Sequence, residues 1–179
     1  MKRPYLFVGI TLAMLVVDQL VKVWVRGAIP QHGSMGGRPF PGFFEITLQY
    51  NEGIAFGFFQ KKGLFLSPVA IAIAIGATWY SFKHPKEPIL THVSMGLLAS
   101  GAIGNLYDRV VNGRVTDMFY FRAISFPVFN VADSCITIAT ILLIFSWFGD
   151  ATRHGKKEST ALTKEPPALT VETPAPGTE

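Results

Sequence analysis

The sequence predicts an all-α membrane protein, a four-transmembrane-helix bundle with a small extracytoplasmic β-sheet. Three observations predict it. Of the 179 residues, 49% are hydrophobic and 16% charged, a balance more apolar than a water-soluble domain needs. Four apolar runs, Tyr5–Val25, Leu64–Phe82, Ile89–Tyr107 and Phe129–Phe148, reach the length that crosses a hydrocarbon core of roughly 30 Å. Between the runs lie segments whose polarity alternates with period two, as strands facing two environments do.

The first run follows Met1-Lys2-Arg3 and carries Asp18 and Lys22, without a small-x-small cleavage site after it, so it reads as a retained helix and not a cleaved leader. Trp24, Trp79 and Trp147 fall at the ends of runs, where an amphipathic ring rests at headgroup level. Gly27–Gly42 is rich in Gly and Pro and reads as irregular, whereas Phe44–Asn51 alternates and reads as a strand. Asn51-Glu52-Gly53-Ile54-Ala55-Phe56-Gly57 follows as a glycine-containing turn. Val115–Phe121 is a second strand, able to pair with the first on the membrane surface. Residues 1–150 form the four-span domain, and 151–179 a tail whose Thr, Pro, Glu and Lys content predicts disorder. Lys and Arg are nearly balanced across the two sides, and the basic Lys83–Pro88 loop tips the orientation toward cytoplasmic termini.

Composition also excludes functions. The formal charge of +4 is spread over loops and flanks, without the aromatic-interleaved basic face of a nucleic-acid binder. Cys135 is alone, so neither a disulfide framework nor a CxxC metal site is available. His32, His84, His92 and His154 are scattered with no HExxH spacing.

Chemistry concentrates in the acids. Of five aspartates, Asp18, Asp108, Asp117 and Asp133 lie in or beside a span, where an ionised carboxylate costs about 2.5–3.5 kcal/mol at the helix centre and so needs a partner or a task. Asp18 and Lys22, four apart on one helix, suit a structural ion pair; the alternative, Lys22 as base for Ser94, Ser100 or Ser134, has no supporting spacing. Gly96, Ser100 and Gly104 form a close-packing stripe that continues into a polar face of Asn105, Asp108 and Arg109. Asp108 is open to a local pair with Arg109, whose guanidinium also suits orienting a substrate carbonyl. Asn130, Asp133, Ser134 and Thr137 make one polar stripe on the last helix. The 15 residues between Asp117 and Asp133 are enough to bring the two carboxyls together. Two carboxyls sharing a proton support aspartic proteolysis; intramembrane acids also serve proton-coupled transporters, but those want their acids near the midplane, whereas Asp108, Asp117 and Asp133 cluster toward one face.

Five blocks in order narrow the choice. Asp18-Gln19-Leu20-Val21-Lys22, Asn51–Gly57, Gly101-Ala102-Ile103-Gly104-Asn105-Leu106-Tyr107-Asp108-Arg109, Val115-Thr116-Asp117-Met118-Phe119 and Phe129-Asn130-Val131-Ala132-Asp133 together resemble the lipoprotein signal peptidases, or signal peptidase II. Ile54 and Thr116 depart mildly from the family pattern. The resemblance implies Asp117 and Asp133 as catalytic dyad, with Asn51, Gly53, Asn105, Arg109, Asn130, Asp18 and Lys22 as supporting or substrate-binding residues. It further implies cleavage of diacylglyceryl prolipoproteins before the lipid-bearing cysteine in a bacterial cytoplasmic membrane. No metal or organic cofactor is implied, membrane lipid is a partner, and a cyclic peptide of the globomycin kind is an implied inhibitor.

Overall fold

The computed structural model describes residues 3–53 and 66–162, with side chains as far as 146. Among the described residues four helices and three strands follow in order: α1 (Arg3–Ala28), β1 (Ser34–Phe40), β2 (Phe44–Asn51), α2 (Ser67–Lys83), α3 (Ile89–Asn112), β3 (Val115–Phe121) and α4 (Val131–Leu162), with a 3₁₀ turn at Arg122–Ile124. The chain divides into two compact units, Met1–Ser146 and Trp147–Glu179, and everything below concerns the first. Each expected apolar run carries a helix. By length and composition α1 and α3 suffice to cross a membrane, while α2 and the Val131–Ser146 part of α4 are apolar but shorter. Ile54–Gly57 of the expected turn, Leu64 and Phe65 of the second apolar run and 163–179 of the expected tail lie outside the described residues, whereas 151–162, expected in the tail, continue α4.

The helices stop where their sequences say. Pro68 opens α2 in its first turn, where a missing N–H costs nothing. Gly113 ends α3 in the left-handed region at φ 71°, so the chain turns at once into β3. α3 is the central helix because its glycines admit neighbours. A Cβ at Gly96 would lie 2.9 Å from Ile10 of α1, one at Gly104 2.6 Å from the Asp18 carboxylate, and one at Gly101 would collide with the Ala132 carbonyl of α4.

The expected pairing of the two strands is present: β2 and β3 run antiparallel, with Gln49 opposite Asp117 and Asn51 opposite Val115. The Gly27–Gly42 segment, read as irregular, instead contributes β1, which pairs with β2 on the sheet's outer edge. Gly36, Gly37 and Pro39 hide the strand from propensity reasoning, and an edge position tolerates them because only one side of β1 needs hydrogen bonds. Val25 and Ile29 of α1 pack with Leu48 of β2 and Met118 of β3, a buried cluster that fixes the sheet to the end of the bundle. A separate cluster of Phe7, Ala77 and Ala99 holds the other end. Trp24 and Trp79 are exposed.

Candidate active site

At the end where α1 and α3 finish and α4 begins, polar groups replace the apolar packing. Asp18, Lys22 and Arg26 follow one another at four-residue steps on one face of α1, and that face meets Asn105 and Asp108 on α3. The Lys22 ammonium, wholly buried, lies 2.9 Å from Asp18 Oδ2 and 3.3 Å from Asp108 Oδ2. The expected Asp18–Lys22 ion pair is thus present, with a second carboxylate added. Asp108 pairs with Lys22 and Arg26 rather than with its neighbour Arg109, and it also accepts the Thr116 main-chain N–H at 2.9 Å. Arg26 in turn donates to the Thr116 hydroxyl at 2.8 Å. The hydroxyls of Ser94, Ser100 and Ser134 donate to main-chain oxygens of Leu90, Leu97 and Asn130, so the Lys22–serine alternative finds no support.

Asn130 stands just before α4 and not within it, and it caps the helix. Its Oδ1 accepts from Asp133 N–H at 2.9 Å while Asp133 Oδ2 accepts from Asn130 N–H at 3.2 Å. This reciprocal pair is a capping box, with Asp133 in its third helical position. Asp18 Oδ1 accepts the Ala132 N–H at 2.9 Å. Two carboxylates therefore sit at the positive end of the α4 dipole. Ser134 and Thr137, expected on the same polar stripe, donate to carbonyls of their own helix turn and take no part.

The two expected catalytic carboxyls are joined through asparagines. Asn130 Nδ2 donates to Asp117 Oδ1 at 2.7 Å and to Asn105 Oδ1 at 3.1 Å, and Asn105 Nδ2 donates to Asp133 Oδ1 at 2.7 Å. Asn51, diagonal to Asp117 across the sheet, donates through Nδ2 to its Oδ2 at 3.1 Å, while Gly53 N–H donates to Asn51 Oδ1 at 2.9 Å in a local turn. Asp117 is 2% exposed and borders a groove of about 810 Å³ over the sheet, lined also by Asn51, Gly53, Glu45 and Arg122. The Arg109 guanidinium interacts electrostatically with Asp133, Asp117 and Asp108, and its Nε is buried with no hydrogen-bond partner, leaving a donor for an incoming group. Four carboxyls, Asp18, Asp108, Asp117 and Asp133, thus share the site with three cations, Lys22, Arg26 and Arg109, and one proton on the carboxyls makes it neutral. Among the described residues no cluster of His, Cys, Asp and Glu suits a metal ion.

Burial, and then the negative charge of Asp133, push the Asp117 carboxyl from the ordinary 3.8 up to about 7, against the opposing pull of the Asn51 and Asn130 hydrogen bonds and of Lys22. That interval corresponds to ~4 kcal/mol of penalty on the ionised form. The folded protein keeps a proton that the unfolded chain has lost, so the contribution to stability is complete below 3.8 and disappears as pH rises through about 7. Asp117→Asn lacks this dependence. Its thermal midpoint relative to the unaltered protein rises between pH 4 and pH 7 and levels off above; a difference that stays flat across that range contradicts the buried, protonated carboxyl.

An apolar bundle closed at one end by paired carboxylates, asparagines and an arginine defines an integral membrane protein with a built polar site. Comparison with known proteins gives the family. Residues 10–149 match the family described as signal peptidase (SPase) II, and the chain belongs to it. The lipoprotein signal peptidase of Streptococcus pneumoniae is 35% identical over 82% of this chain and 94% of its own. That of Cupriavidus necator is 34% identical over 84% and 87%, and that of Clostridium acetobutylicum 37% over 79% and 94%. Two solved bacterial membrane enzymes share the fold: one has a TM-score of 0.75 at 30% identity, covering 82% of this chain and 90% of that one. The other has a TM-score of 0.70 at 31% identity, covering 79% and 91%. The protein is accordingly a bacterial integral membrane peptidase.

Arg26 and the capping role of Asn130 were missed by sequence reasoning, though both had signals. Arg26 continues the four-residue spacing of Asp18 and Lys22, and Asn130-x-x-Asp133 before an apolar run is the pattern of a helix start.

Proposed function

We propose that this protein is an aspartic endopeptidase that removes the signal peptide from diacylglyceryl-modified prolipoproteins, cutting before the lipidated cysteine. The observation carrying the proposal is the pair of carboxyls of Asp117 and Asp133, joined through Asn105 and Asn130 in a site that one proton neutralises. Asp117, with its raised proton affinity, donates to the scissile carbonyl oxygen, while ionised Asp133 takes a proton from water as the water oxygen attacks the carbonyl carbon. As the resulting diol collapses, one of its hydroxyls returns a proton to Asp117, the C–N bond breaks, and the proton held by Asp133 passes to the leaving nitrogen. The unpartnered Nε–H of Arg109 faces the developing oxyanion or orients the substrate backbone.

All four helices cross the membrane in this reading, with both termini cytoplasmic and the sheet and dyad at the outer face. The apolar exteriors of the helices and exposed Trp24 and Trp79 support this placement, as does the concentration of polar groups at one end of the bundle. The substrate's lipid stays in the bilayer while the peptide beside it lies over the sheet, in the groove at Asp117; a globomycin-like cyclic peptide competes for that groove. The chemistry requires no metal or organic cofactor. Purified protein in detergent is expected to cleave a diacylglyceryl prolipoprotein to a product beginning at the modified cysteine, and to leave the unmodified precursor intact. Cleavage elsewhere, or equal cleavage of both precursors, refutes this assignment.

A further inference from the structure

Three asparagines around the dyad are turned the same way: each directs its NH2 at a carboxylate, because its oxygen is held by a group that can only donate. Gly53 N–H holds Asn51 at 2.9 Å, and Asp133 N–H holds Asn130 at 2.9 Å. The third holder is a side chain, the Lys22 ammonium, 3.3 Å from Asn105 Oδ1. An ammonium has three donors and no acceptor. Lys22 forms ion pairs with Asp18 and Asp108 and donates to Asn105 Oδ1 and, at 3.5 Å, to the Gly104 carbonyl, and since it can only donate, the amide edge that meets it must be oxygen. The NH2 of Asn105 is left for Asp133 Oδ1, 2.7 Å away. Asn130 Nδ2 also reaches Asn105 Oδ1, at 3.1 Å, but it is neutral and donates as well to Asp117 at 2.7 Å.

Resting on the assignment of Asp117 and Asp133 as the reacting pair, we propose that Lys22 is a positioning residue for the hydrolysis. Its ammonium fixes the Asn105 amide so that the NH2 stays on Asp133 and favours that carboxylate as the ionised, water-activating member. The charged groups around it are Asp18 and Arg26 on α1, Asp108 and Arg109 on α3, Asp117 on β3 and Asp133 on α4. Lys22 touches no reacting atom; beside the direct pull of its charge on Asp117, it reaches Asp133 through Asn105.

Removing Lys22 alone strands the Asp18 carboxylate, so the informative comparison is Asp18→Asn against Asp18→Asn/Lys22→Met. In both, an amide oxygen at position 18 can accept the Ala132 N–H, and Asp108 keeps Arg26, Asn112 and the Thr116 N–H. Turnover of diacylglyceryl prolipoprotein in detergent is measured across pH. The double variant is expected to show kcat at least ~10-fold below Asp18→Asn at similar KM, with the acidic limb of its profile displaced to higher pH by about one unit. Superimposable profiles and equal kcat overturn the proposal. Should Asp18→Asn or the double variant not fold, Asn105→Asp decides, since it keeps an oxygen for Lys22 but turns a second oxygen on Asp133. A loss of ~100-fold in kcat with the same displaced limb is expected there, and a profile like that of the unaltered protein overturns the inference. Asp133→Asn separates the two levels: if it is active, the assignment of the pair fails; if it is inactive while the Lys22 profiles superimpose, only the role of Lys22 fails.

Discussion

Asp133→Asn and Asp117→Asn each lower turnover of lipidated prolipoprotein by ~10²–10⁴-fold while the protein remains folded. The substituent is nearly the same size, so packing changes little. What changes is proton capacity. An amide at position 133 cannot take a proton from water, and one at position 117 can donate a hydrogen bond but cannot transfer a proton to the carbonyl oxygen. Each variant also removes an acceptor: Asn105 Nδ2 faces Asp133 at 2.7 Å and Asn130 Nδ2 faces Asp117 at 2.7 Å. The new amide must present its oxygen there, which fixes its rotamer and leaves its NH2 toward the remaining donor, Asn130 N–H in one case and Asn51 Nδ2 in the other. At pH 7 a modest loss of stability is expected for Asp133→Asn but not for Asp117→Asn, which is spared the ionisation penalty of the buried carboxyl. Cleavage assays with thermal unfolding of the same preparations check this, and either variant retaining more than a tenth of the activity removes its carboxyl from the chemistry.

Much of this site was legible because charged groups beside hydrocarbon need partners. Asp18 and Lys22 are four residues apart, and the pairing follows from helix geometry alone. The convergence of Asp117 and Asp133 is different in kind. Spacing permits it, whereas the ordered blocks shared with a family made it an expectation. β1 was illegible for the opposite reason: its glycines and proline carry no strand propensity, and only the free edge of β2 accounts for its pairing. Asn130 was assigned to a helical stripe because Asn130, Asp133 and Thr137 have helical spacing. A capping residue lies on the same extrapolated spiral, and spacing cannot separate a cap from the first turn.

The charge arrangement explains why so many acids gather beside an apolar bundle. Asp18 serves Lys22 and the α4 N-terminus together, and Asp108 serves Lys22, Arg26 and the start of β3. Both are consumed by structure: removing either leaves a buried cation underpaired, a change that typically costs ~3–5 kcal/mol. Among the described residues, Asp117 and Asp133 accept only from neutral amides and main-chain N–H groups. The direct ion pairs are thus taken by the structural acids, which under the proposed function leaves Asp117 and Asp133 a proton to exchange.

Gly101→Ala is expected to damage both stability and catalysis, because the helix bearing Asp133 lies directly against that glycine. The added methyl would collide with the Ala132 carbonyl oxygen and stand 2.6 Å from Ile136 Cγ1. The oxygen belongs to the backbone of the first turn of α4, which cannot rotate away like a side chain end, so α4 must move. Overpacking of this sort costs roughly 1–3 kcal/mol. The displacement falls between Asn105, four residues further along α3, and Asp133, beside Ala132, whose amide–carboxylate contact is 2.7 Å. A shift of ~1 Å in such a constellation lowers the rate by about 10²-fold. Gly9→Ala provides the control, since a Cβ there meets nothing within 4 Å; its gain in helix propensity is about 1 kcal/mol at most. Thermal unfolding and cleavage rates of the two variants are to be compared. If Gly101→Ala matches Gly9→Ala in both, close contact between α3 and α4 does not set the position of the dyad.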